Sequence, residues 1–174
     1  MTSFDRALAI HHSASAAFAT AAEGIERDRW HHPLTEGKWS CAQVTDHLIQ
    51  TYDVLLRELN GGAGMRIRIG FVRRMFLRMT LMPRLLRGAR FPERVPAPSE
   101  IRPSNTPANQ QDGIALFRQR AAEFEAAAQQ ARTQNPRAHV THAYFGAASL
   151  ANGVLFCARH IEHHRAQISE RPRL

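Results

Sequence analysis

Arg159-His160-Ile161-Glu162-His163-His164-Arg165-Ala166-Gln167 places three histidines within five residues of a segment with helical apolar spacing. Residues four apart in a helix lie on one face, one turn apart. His160 and His164 can therefore present two imidazoles to one point, with His163 turned to the flank. Leu150, Val154, Cys157, Ile161, His164 and Ile168 form the core stripe of this last helix, and His160 borders it. Ser149 is its expected N-cap and Arg171-Pro172 its stop. Two imidazoles are half a metal site, so the other ligands must come from elsewhere in the chain.

A second helix supplies a candidate. Ser40 and Gln43 form an S-x-x-Q capping box, in which the hydroxyl satisfies a free helix N–H and the amide reaches back. Val44, His47, Leu48, Thr51, Leu55 and Leu59 then mark a buried face with His47 at its middle, and Asn60-Gly61-Gly62-Ala63-Gly64 ends the helix. Upstream, residues 3 to 28 read as the first helix, with Phe4, Leu8, His11, Phe18 and Ile25 on its apolar stripe. His11 belongs to the core or faces a pocket, and His12 is exposed. Trp30-His31-His32-Pro33-Leu34-Thr35-Glu36-Gly37-Lys38 is a connection whose two histidines point apart and are read as loop residues. Ile114, Phe117, Ala121, Phe124 and Ala128 define the third bundle helix, which Asn135-Pro136 stops. A short link from Ala138 to Gly146 carries His139 and His142, and no stretch shows strand alternation. The expectation is an all-α, four-helix bundle occupying residues 1–174 as one domain, with a long connection between the second and third helices.

That connection is unusual. Residues 64–94 hold nine arginines against one acid, Glu93, which accounts for the whole net charge of +8. Ile67, Phe71, Met75, Leu77, Leu81, Leu85 and Leu86 interleave with them, and four of the five methionines fall here. The segment reads as one helix or two short ones, interrupted at Pro83 and ended near Gly88. It can pack its apolar face on the bundle and solvate its arginines. It can contact anionic lipid peripherally. It can also lie over a small-molecule pocket as an adaptable methionine-rich lid. A nucleic acid or an acidic protein is a further partner class, but no recognised nucleic-acid motif supports the former. Residues 91–109 follow with five prolines and form an extended crossing from one end of the bundle to the other.

Cys41 and Cys157 are far apart on apolar helical stretches, which excludes a disulfide framework and a cysteine-rich zinc pattern. The N-terminus lacks a basic region before a long apolar run, and no apolar stretch reaches transmembrane length. A cytoplasmic protein is expected.

If the second and last helices face each other, His47, His160 and His164 can bind one divalent cation and leave positions open for water or substrate. Histidines four apart also occur as ordinary polar pairs, so spacing alone leaves both readings standing. Gln43 lies one turn before His47 and Gln167 three residues after His164, so both are candidate hydrogen-bond partners of the ligands. No obvious general base is present; His142 and His11 are the candidates.

The chain resembles the DinB/YfiT-like family of metalloenzymes. The matching pieces are Gly37-Lys38-Trp39-Ser40, Asp46-His47-Leu48 and His160-Ile161-Glu162-His163-His164-Arg165-Ala166-Gln167, in the expected order. His142-Ala143-Tyr144-Phe145-Gly146 is similar to the H-x-x-F-G motif before the last helix in some subgroups. The resemblance implies a four-helix bundle, often dimeric, with His47, His160 and His164 as ligands of zinc, nickel, manganese or iron, and His163 as a motif residue outside the ligand set. It also implies a transferase or isomerase using a low-molecular-weight thiol of the bacillithiol, mycothiol or glutathione type on an electrophilic small molecule, with a related hydrolase on the same site as the variant reading. Arg73 and Arg74, in the basic segment, are candidates to hold the carboxylates of such a thiol. Ala166 stands where glycine is common, and the arginine-rich block lies outside the family signature. The contrasting reading is a non-catalytic binding protein on the same scaffold, docking through residues 64–94.

Overall fold

The computed structural model describes residues 1–33, 35–92, 95–104 and 106–169. Leu34 of the connection, Glu93 and Arg94 of the basic segment, and the expected stop at Arg171-Pro172 lie outside the described residues. Four long helices carry the structure: α1 (Ser3–Glu23), α2 (Cys41–Leu59), α5 (Gln110–Gln134) and α6 (Leu150–Ser169). Two short helices, α3 (Phe71–Thr80) and α4 (Met82–Leu86), occupy the connection between α2 and α5. The basic segment is therefore two helices. Pro83 sits in the first turn of α4, where its missing N–H costs nothing, and Gly88 follows with a φ of 94° that ends the run.

α1 packs most extensively on α6, α2 on α5, and α1 also on α5. The shared core contains Phe18, Phe117, Phe124, Tyr52, Trp30, Leu48, Val154 and Ile161, all essentially solvent-free. The apolar stripes read from sequence account for this: Val44, Leu48, Thr51 and Leu55 are buried on α2, and Ile114, Phe117, Ala121, Phe124 and Ala128 on α5. α1 starts at a Thr2–Asp5 capping box. It stops at Glu23, short of the expected residue 28. Gly24 caps it, and the Gln110 amide donates to the carbonyls of Ala22 and Ile25, satisfying acceptors that a longer helix would have used. A single 3₁₀ turn, Arg27–Arg29, follows.

The link before α6 is a two-stranded antiparallel hairpin, which corrects the expectation of no strands. β1 (His139–His142) pairs with β2 (Gly146–Ser149) in the register His139–Ser149 to His142–Gly146. The strands are four residues each and alanine-rich on one side, too short to show a period of two in sequence. Glu58, near the end of α2, clamps the hairpin: its carboxylate accepts from the Thr141 N–H at 2.8 Å and the Thr141 hydroxyl at 2.6 Å. Gly146 turns with a φ of 70°, and a Cβ there would meet Arg74 Cδ at 3.0 Å.

Gly153 lets α6 press against β1. A Cβ on it would lie 2.2 Å from Val140 Cγ2. Gly153→Ala gains about 1 kcal/mol of helix propensity but meets a steric conflict of the kind that costs typically 1–3 kcal/mol. A net loss is expected in the urea midpoint, with recovery when Val140→Ala is added. Additive effects of the two changes would contradict a direct clash.

Candidate metal centre

His47 projects from α2 and His160 and His164 from α6, and their ring nitrogens lie within 4.8 Å of one another. His160 Nε2 is 3.2 Å from His47 Nε2 and 3.0 Å from His164 Nε2. Tetrahedral ligands at the usual zinc–nitrogen distance stand roughly 3.3 Å apart, so the spacing is close to that of a bound site.

The proton positions sharpen this. His47 Nδ1 donates to the Ile101 carbonyl at 2.6 Å. His164 Nδ1 donates to the Gln167 side-chain oxygen at 2.8 Å. The Gln167 amide nitrogen donates to His163 Nε2 at 3.0 Å, which fixes the orientation of that amide. Both His47 and His164 therefore carry their proton on Nδ1 and aim an Nε2 lone pair at the common point. A proton on His160 Nε2 can serve only one of those lone pairs; a cation serves all three. The donor set thus fits a divalent ion of the zinc or nickel type, for which imidazole nitrogen is a usual ligand.

Burial keeps the three imidazoles in the neutral form that a metal requires. Desolvation pulls the His47 pKa below its ordinary value, against the opposing pull of the Ile101 hydrogen bond and the Asp46 charge. Desolvation followed by the neighbouring imidazoles drives His160 and His164 well below theirs. Rings enclose the cluster: Trp39 lies 5.0 Å from His47, Phe91 5.8 Å from His160, and Phe156 6.5 Å from His160.

The structure separates the other candidates. Gln167 lies where a ligand-orienting group belongs. Gln43 does not reach His47: its side-chain oxygen accepts the Ser40 N–H at 2.9 Å in the capping box, and the Ile101 carbonyl holds His47 instead. His163 stands beside the cluster, 5.1 Å from Phe91. His11 is wholly buried with both nitrogens engaged, Nδ1 with Glu125 at 2.8 Å and Nε2 with the Tyr52 hydroxyl at 2.9 Å. That makes it a satisfied core histidine rather than a base. His142 Nδ1 accepts the Tyr144 N–H at 3.1 Å, and burial pulls its pKa to about 4, so at neutral pH its other nitrogen is a donor. His142 packs between Phe145 and Phe156 and is not a base poised for neutral pH. Arg73 is exposed on α3, and Arg74 lies over Gly146 of the hairpin, so neither is brought into the histidine cluster. His31 and His32 are exposed, bonded to the carbonyls of Ala108 and Asp28.

Sequence reasoning missed the role of Ile101. It is the one large aliphatic residue between Val95 and Ile114, which marks it as the anchor of the proline-rich crossing. Glu100 beside it holds the crossing to residues 66–68. Burial opposes its ionisation, but N–H and O–H groups of Glu100 itself, Arg68, Ser99 and Arg66 prevail and lower its carboxyl pKa to about 2.

A long-crossover bundle with an inward histidine triad on its second and last helices defines the class. The sequence profile of the DinB superfamily matches residues 11–168, and the chain belongs to that superfamily. Among solved structures it is similar to a mycothiol-dependent maleylpyruvate isomerase, with a TM-score of 0.61 and 15% identity over 97% of this chain. The chain spans 63% of the length of that protein. No curated protein matches it in sequence. Among the described residues, no helix is long and apolar enough to cross a membrane.

Proposed function

We propose that the protein is a metal-dependent enzyme that joins a low-molecular-weight thiol to an electrophilic small molecule, as a transferase or as an isomerase that later releases the thiol. The observation that carries this reading is the convergence of three imidazole nitrogens with the His47 and His164 lone pairs fixed inward by Ile101 and Gln167. Membership of the DinB superfamily and the likeness to a mycothiol-dependent isomerase support it. His47, His160 and His164 would hold one divalent ion, zinc or nickel in the first place and manganese or iron otherwise. Such an ion, held by neutral ligands, keeps its charge and lowers the pKa of a bound water or thiol. The chain's own contribution is orientation and exclusion of water. Ile101 and Gln167 fix the ring planes, and Trp39, Phe91 and Phe156 wall the cluster with apolar surface. That wall favours an electrophile with a planar or apolar body, such as an epoxide, an activated alkene or a maleylpyruvate-like acid.

The test is thiol-dependent conversion of the electrophile by the metal-loaded protein, whether the thiol is kept in the product or released. Mycothiol, bacillithiol and glutathione are each offered with that panel of electrophiles. Turnover is expected with one thiol and is expected to vanish on chelation. A fully metallated protein that converts none of the electrophiles with any of the three thiols would refute the reading.

A further inference from the structure

We propose that α3 is a membrane-surface helix whose outward face docks on an anionic phospholipid bilayer. No residue of α3 is buried. Phe71, Val72, Phe76 and Met79 are 66, 81, 65 and 72% exposed, and Met75 joins them at 39%. At about 100° per residue, these five side chains fall within one arc of roughly 140°. The opposite side holds the helix to the domain. Leu77 packs from that side towards Met82, Leu85, Phe145 and Ala148, and Arg78, at the edge of the arc beside Phe71, donates from Nη1 to the Ala147 carbonyl at 2.5 Å. Anchorage on that side leaves the apolar arc facing away from the protein.

The charge around this arc identifies the occupant. Arg66, Arg68, Arg73, Arg74, Arg78, Arg84, Arg87 and Arg90 lie between residues 64 and 92, which contain no acid. Glu100 approaches from outside the segment, and it is paired with Arg68. A second copy of this chain would bring one arginine-ringed face against another, so like charge opposes self-docking. A nucleic acid would take the arginines but leave two phenylalanines, a valine and two methionines unburied. An anionic bilayer takes both: headgroups for the guanidinium groups, and the acyl boundary for the apolar arc. The arc lies on a protruding helix rather than in a groove, which suits a broad, yielding surface.

Flotation of the full chain with vesicles tests this. Binding is expected to vesicles of about 30% phosphatidylglycerol in phosphatidylcholine and not to phosphatidylcholine alone. Phe71→Ser with Phe76→Ser should weaken it roughly tenfold or more while leaving the melting temperature nearly unchanged, since both rings are about two-thirds exposed. Arg66→Gln with Arg73→Gln should weaken it about five-fold per arginine, and binding should fall steeply with salt. Failure to float with anionic vesicles overturns the proposal. So does flotation unaffected by both double substitutions. Retention on duplex DNA, or a dimer dissolved by Phe76→Ser, overturns it when either occurs without vesicle binding. Metal content and thiol turnover are read separately, so this surface and the histidine centre stand or fall independently.

Discussion

His47→Ala and His164→Ala are each expected to abolish stoichiometric divalent-metal binding. Each removes one of three converging nitrogens and leaves two, too few to hold an ion against solvent. Gln167→Ala makes the graded comparison. It leaves all three ligands in place but frees the His164 ring to rotate and to carry its proton on either nitrogen. Loss of such a supporting bond costs about 10–100-fold in affinity, so the variant should bind metal weakly rather than not at all. Metal content after dialysis and competition titration separate the two behaviours. Full occupancy in His47→Ala would remove the site from consideration. Acid should act in the same direction. The triad pKa values lie below the ordinary histidine value, so an unfolded chain binds protons there that the folded one refuses. Stability should therefore fall as pH drops through about 6.5, whereas the folded site should lose metal only at the lower pH where its own imidazoles take up protons.

Phe124→Ala should be the most damaging single change to the fold. Phe124 is solvent-free on α5, 5.6 Å from the Tyr52 ring and 5.3 Å from the His11 ring. Truncating a buried phenylalanine costs about 3–5 kcal/mol. In a chain of this size that corresponds to a drop of roughly 10 °C in melting temperature. The neighbouring network adds to the cost, because His11 is held between Glu125 and Tyr52 and loses its packing surface. Phe124→Leu should recover most of the loss. A melting temperature within about 2 °C of wild type for Phe124→Ala would mean that the core is not closed around this ring.

The sequence made the bundle legible because its helices carry strong three-and-four spacing. Phe117, Phe124 and Ala128 on α5, and Val44, Leu48 and Leu55 on α2, fall where the pattern puts them. The triad was legible for the same reason: His160 and His164 share a helical face, and His47 lies on the buried face of a well-capped helix. What pairs with what was harder to read. The hairpin at 139–149 is held by Glu58 and the bundle, not by its own composition. His11 and His142 looked reactive as letters, yet Tyr52 and Glu125 occupy both nitrogens of His11 and the Tyr144 N–H occupies Nδ1 of His142, and such partners lie far away in sequence or on the backbone. Gln43 suited two roles by position, and the capping box took it.

The bond from His47 to Ile101 ends on a main-chain carbonyl, and this sets a blind spot for mutational scanning. Ile101→Ala removes a packing anchor but keeps the acceptor, so its effect would register as lost stability rather than as a lost ligand-orienting group. Changes that redirect the peptide path would be felt at the cluster instead. A residue deleted from 95–104 shifts the carbonyl out of line with Nδ1, and the ring it orients then loses its fixed tautomer. Tolerance to another large aliphatic side chain at 101 together with intolerance to altered length would be the genetic signature of this acceptor.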